Sequence, residues 1–184
     1  MQLEWNPWSV ASRAARAERG GRYAEALRLY ARDRRGESRV LDTLSHGLPQ
    51  WPIRHVIIAA ARDLLYLQRA VDAARAAKVP PAILNGVAEG ADRAAEIVWR
   101  SADRLAAAGA QRVDATFMLP TLKAETDRLE DLRTTILALR TELAEVTVSG
   151  TPATADRDAA RHVSVSLRAL TDATRALRES IDEV

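Results

Sequence analysis

Apolar side chains return at alternating intervals of four and three residues through four long segments of this 184-residue chain. That rhythm leaves little choice of fold, because only an α-helix brings such positions onto one stripe. From Ile53 the series runs Ile57, Ala60, Leu64, Leu67, Val71 and Ala74. After Val79-Pro80-Pro81 it resumes at Leu84, Val87, Ala91, Ala94, Val98 and Leu105, with Ser101 as a lapse and Gly109 as the expected stop. A third series, expected to start near Pro120, holds Leu122, Leu129, Leu132, Ile136, Leu139, Leu143 and Val146, and Glu125 violates it. The fourth follows the turn-rich linker from Ser149 to Thr154, is capped by Thr154, and carries Val163, Leu167, Leu170, Thr174, Leu177, Ile181 and Val184.

Short breaks between heptad-patterned segments predict antiparallel neighbours. The expected fold is all-α: a bundle of long antiparallel helices at about 52–78, 81–108, 120–148 and 155–183, occupying residues 48–184. The rhythm does not say whether the last two helices pair within one chain or between two. Either arrangement buries the same stripes, at roughly 25 cal/mol per Å² of apolar area. Composition agrees, since Ala, Leu, Arg and Glu are good helix formers. Strand-building clusters of Val, Ile, Thr and aromatics are nearly absent.

Residues 1–47 read as a smaller helical unit docked on that body. Pro7 to Arg35 forms two short helices broken at Gly20-Gly21, and Arg34 to His46 gives a short helix closed by Gly47. The run Gly21-Arg22-Tyr23-Ala24-Glu25-Ala26-Leu27-Arg28-Leu29-Tyr30, with Ala14 where close approach is needed, resembles one tetratricopeptide repeat. Such repeats stack in series, and no second copy follows. Leu48-Pro49-Gln50-Trp51-Pro52 then separates this unit from the bundle.

Charge is unevenly spread although the net value is only +2. Residues 1–80 carry 14 Lys+Arg against 8 Asp+Glu, and the remaining 104 carry 13 against 17. A basic front half docking on an acidic back half is the simplest use of that asymmetry. A basic surface of Arg28, Arg32, Arg34, Arg35 and Arg39 for nucleic acid is the alternative. Cysteine is absent, so disulfides, thiolate metal sites and a cysteine nucleophile are excluded. The longest apolar run, Val56 to Ala61, is far below the roughly 20 residues a membrane span needs. With no basic-then-apolar leader at Met1-Gln2-Leu3-Glu4-Trp5, a cytoplasmic location is expected.

No catalytic constellation emerges. His46, His55 and His162 lack a second ligand at helical metal-site spacing; Asp158 precedes His162 by four residues, a pairing typical of a helix surface. Glu89, Asp92 and Glu96 share one helical stripe and are weak metal-ligand candidates. Asp127 with Glu130, and Glu142 with Glu145, are faintly similar to the paired acids of all-α nucleotide pyrophosphohydrolases, which hold magnesium. Their heptad positions, however, place these four acids on the outer, water-facing side of one straight helix, which cannot converge them. No cofactor is implied. Trp5, Trp8, Trp51 and Trp99 read as anchors pinning segments to the body, or as exposed partner contacts.

The stretch from about Arg54 to Asp114 resembles the helical region of XpaC-type proteins, the family named for 5-bromo-4-chloroindolyl phosphate hydrolysis. The likeness lies in Ala59-Ala60-Ala61-Arg62-Asp63-Leu64-Leu65-Tyr66-Leu67, then Val87, Ala91, Ala94 and Trp99 before Leu105, about a third of the chain. No counterpart of that family's membrane-embedded N-terminal segment is expected from this sequence. The resemblance implies an accessory role in toxic-anion (tellurite) or stress resistance, and it carries over no functional residue.

The leading expectation is a non-enzymatic helical scaffold or adaptor that binds protein partners, including further copies of itself. Its candidate contacts are Trp5, Trp8, Tyr23, Tyr30, Arg28, Arg32 and Arg35. A metal-dependent phosphate or nucleotide hydrolase and a nucleic-acid binder are the competing expectations.

Overall fold

The computed structural model describes residues 10–20, 22–31, 37–111, 115–149 and 155–182. Seven helices fill them: α1 (Val10–Arg19), α2 (Tyr23–Ala31), α3 (Glu37–Gly47), α4 (Ile53–Ala76), α5 (Pro81–Ala110), α6 (Ala115–Ser149) and α7 (Ala155–Asp182). The fold is all-α, and the long helices pack as a bundle. No helix among the described residues is long and apolar enough to cross a membrane.

The four-three rhythm marks the buried stripes. Every named seam position of α4 and α5 is buried, as are those of α6 from Leu122 to Val146. On α7, Val163, Leu170 and Leu177 are buried, whereas Leu167, Thr174 and Ile181 are partly exposed. Val184 and the Thr154 cap lie outside the described residues.

Two boundaries differ from the sequence expectation. Helix α6 begins at Ala115, with Pro120 inside it. Proline is costly in a helix because it lacks an N–H donor and crowds the carbonyl four residues back. Here it falls just past the unpaired donors of the first turn, so the helix gives up one early hydrogen bond and runs on unbroken. Helix α5 continues through Gly109 to Ala110. Gly109 serves packing there: a Cβ would lie 3.1–3.2 Å from the Pro49 ring, so the proline break rests directly on α5.

Chain order and spatial order also differ. The packed pairs are α4 with α5, α5 with α7, α7 with α6, and α6 with α4. Helices α5 and α6 follow each other in the chain yet stand on a diagonal. Contacts fix the directions. Asp63 meets Arg133 and Tyr66 meets Arg140, so numbers rise together along α4 and α6. Gly86 and Gly90 touch Leu167, Gly90 touches Leu170, and Arg104 reaches the Ile181 carbonyl, so α5 and α7 also run the same way. Two antiparallel hairpins thus lie side by side with like-directed helices as neighbours. The absent side chains at Gly86 and Gly90 let α5 close on α7, since a Cβ at either would stand under 3.0 Å from Leu167.

The N-terminal helices pack onto this frame. Helix α1 lies on α2, α2 on α3 and α5, and α3 on α4. Ala14, Ala17, Ala26 and Leu27 are fully buried and belong to the same hydrophobic cluster as the bundle core.

Candidate functional site

Polar groups in the interior join helices to one another. The two polar breaks in the apolar seams, Ser101 on α5 and Glu125 on α6, meet across the diagonal at 0% and 2% exposure. The serine hydroxyl donates to the glutamate, and Arg104 Nη1 stands 3.7 Å from the other carboxylate oxygen. Arg104 also donates to the Ile181 carbonyl at 3.2 Å, while its Nη2 is buried without a partner. Burial pushes the Glu125 carboxyl above its usual range; the Ser101 hydrogen bond and Arg104 oppose that and only partly offset it. Sequence reading marks both positions as exceptions, but no spacing rule reveals that they face each other.

A second pair ties α4 to α6. Arg133 donates to Asp63 at 2.9 Å, and the same guanidinium holds Glu130 at 2.9 Å. Asp63 is only 5% exposed. One turn further on, the Tyr66 ring lies 5.8 Å from the Arg69 guanidinium and 5.3 Å from that of Arg140.

The third junction carries the charge asymmetry foreseen from sequence. Arg28 on α2 grips Glu96 on α5 with two hydrogen bonds, 2.7 and 2.5 Å long. A basic residue of the front half therefore docks on an acidic one of the back half. Asp63 with Arg133 has the opposite sense, so asymmetry is only part of the docking. Both partners of the Arg28 pair are over a third or about a third exposed, which limits its worth to about 1 kcal/mol or less. Arg28→Ala is expected to leave the melting temperature within a few degrees of the parent while raising hydrogen exchange selectively in α2.

The remaining candidate residues divide as follows. Tyr30 is not an exposed anchor: it is 5% exposed, and its hydroxyl donates to Glu18 of α1 at 2.8 Å. Burial, then that bond, push its pKa up to about 12. Trp99 is buried and Trp51 half-buried, both packed on the core. Trp5, Trp8, Arg32, Arg34 and Arg35 lie outside the described residues, as does the side chain of Tyr23; Arg39 is exposed. His46 Nδ1 lies 2.8 Å from the Asp42 carbonyl, and His55 and His162 are exposed. Of the four acids expected to face water, Asp127, Glu130 and Glu145 are exposed. Glu142 is not: half-buried, it accepts from Ser166 of α7 at 2.7 Å, and its second oxygen is buried without a partner. A position next to the seam on the α7 side explains the difference.

Glu89, Asp92 and Glu96 do not converge. Glu96 is held by Arg28 and lies 3.6 Å from Arg100, and Glu89 faces Arg93 at 3.8 Å. Among the described residues no group of three His, Asp or Glu is arranged to hold a metal ion.

Two members of that stripe instead help line an open groove of about 400 Å³ between α5 and α7. Asp92, Arg93 and Glu96 form the α5 wall, and Thr171, Thr174, Arg175 and Arg178 the α7 wall. No ion pair joins Asp92 or Glu96 to Arg175 or Arg178, although these charges face each other. Asp92 and Arg178 have no ionic partner among the described residues. The hydroxyls of Thr171 and Thr174 donate to the Leu167 and Leu170 carbonyls, so only their lone pairs are free to meet a ligand.

Comparison with family models, with curated proteins and with solved structures finds no match.

Proposed function

We propose that this chain is a non-enzymatic helical scaffold or adaptor, and that the α5/α7 groove is the face by which it holds a protein partner. The observation that carries this reading is the groove itself: Asp92 and Glu96, beside Arg93, on one wall face Arg175 and Arg178 on the other with no ion pair between the walls. Such a surface is complementary to a polypeptide that bears both signs of charge, and charge complementarity selects partners and speeds their encounter. A hydrolase would need acids converging on a metal and substrate phosphates. Glu96, the best placed of them, is neutralised by two arginines instead.

A photo-crosslinking residue at Thr171, in the groove, tests the reading against one at Arg62, exposed on α4. In cells expressing the full chain, the groove position is expected to yield discrete adducts of polypeptide mass, and the α4 position none. Absence of adducts from position 171, or equal yields from both, would defeat it.

A further inference from the structure

We propose that the face carrying the groove between α5 and α7 packs against the same face of a second copy of this chain, related to the first by a two-fold axis running along the groove. The inference rests on the scaffold reading and names its partner.

The argument begins from direction. Helices α5 and α7 are neighbours that run the same way. A two-fold axis parallel to them, lying in the contact plane, sets α5 of one protomer against α7 of the other. It also keeps every residue at its own height. Charge follows: on the α5 wall Arg93 is held by Glu89 and Glu96 by Arg28, which leaves Asp92 to meet the partner's wall of Arg175 and Arg178, and the reverse contact repeats it. A perpendicular axis would instead bring α5 against α5, which takes Asp92 away from Arg175 and Arg178.

Height agrees with this pairing. The contacts of Gly86 and Gly90 with Leu167, and of Gly90 with Leu170, place Asp92 within about one turn of Arg175 along the axis. That is within reach of an arginine side chain. Within one protomer no ion pair crosses between the walls: Asp92 and Arg178 have no ionic partner among the described residues, and Arg175 has only an exposed contact with Asp172 of its own helix at 3.4 Å. The same groups are satisfied when the facing wall comes from a second protomer. An isologous contact counts each such pair twice, so a surface of modest size becomes self-complementary. Its free energy is ionic and exposed, so the association is salt-sensitive.

Sedimentation velocity on the full chain, from 5 to 200 µM at low and high salt, tests this with a charge exchange. The parent is expected to dimerise, about tenfold more weakly at high than at low salt. Asp92→Arg sets arginine against the partner's Arg175, and Arg175→Glu sets glutamate against the partner's Asp92; each variant alone should be monomeric. An equimolar mixture of the two restores opposite charges at both contacts and should dimerise like the parent. Because both positions are exposed, circular dichroism should show unchanged helix content. Should a reversal disturb folding, Asp92→Asn and Arg175→Gln provide the same contrast, each weakening the dimer without unfolding. Dimerisation of the single variants at parental affinity, or a mixture that stays monomeric, overturns the two-fold groove while leaving the scaffold reading in place. A parent that is monomeric throughout overturns self-association, and adducts with another protein at position 171 would then preserve the scaffold reading alone.

Discussion

Arg133→Met is expected to lower the stability of the bundle by about 3 kcal/mol or more, the largest effect of any surface-reaching substitution proposed for this chain. The guanidinium is partly exposed, but the Asp63 carboxylate it holds is not. Removing the arginine strands a carboxylate among apolar neighbours on α4, and an unpaired buried charge costs far more than the pair contributes. Thermal or urea unfolding measures the loss. The double variant Asp63→Asn with Arg133→Met should recover a large part of it, since no charge then remains to be buried. A double variant no more stable than Arg133→Met alone would show that the loss came from packing of the arginine stem.

Glu125→Gln is expected to act in the other direction. The folded state holds the Glu125 carboxyl above its ordinary value of 4.5 because burial disfavours the charged form. Folding therefore takes up a proton between the ordinary value and the raised one, and stability falls as pH rises through that window. This contribution is fully present below pH 4.5 and lost above the raised value. Glutamine keeps an acceptor for Ser101 and carries no charge to bury. The variant should therefore gain about 1–2 kcal/mol over the parent at pH 8, the scale of one buried polar group. The difference should shrink toward zero at acidic pH, where the parent is protonated. Unfolding curves from pH 4 to 8 measure both, and a pH-independent difference would place the effect elsewhere.

How far the chain was legible as a sequence depends on which residues are considered. The positions that the four-three rhythm names on α4, α5 and α6 are buried, because the period of a helix decides which side chains share a stripe. Helix α5 also buries a second face of Ala95, Ile97, Trp99, Ala102, Ala106 and Ala108 that one stripe does not contain. The rhythm is weaker on α7, where Leu167 and Ile181 lie against neighbours at the rim of the bundle. Periodicity is blind to partner choice. Adjacency in the chain suggests that α5 and α6 are neighbours, whereas Gly86 and Gly90 draw α7 onto α5 and leave α6 diagonal. Ser101 and Glu125 stand out in sequence as departures from the pattern. That each is the other's partner depends on the same unforeseen arrangement. The groove was visible only in fragments: Asp92 and Glu96 on a stripe suggested a metal site, and nothing in the spacing of Arg175 and Arg178 linked them to it. Tyr30, marked as an outward anchor, is buried because the first hairpin closes over it with Glu18.

The parallel setting of α4 beside α6, and of α5 beside α7, has a consequence for alignment. A stripe of Leu, Ala, Val and Ile looks much the same after a shift of one heptad, about 10 Å along the axis. Oil alone would let one hairpin slide on the other and settle in a wrong notch. Asp63 against Arg133 and Ser101 against Glu125 meet in a single setting. A slipped assembly would leave two carboxylates stranded in hydrocarbon, so these few polar contacts act as detents that give an otherwise repetitive interface one resting position.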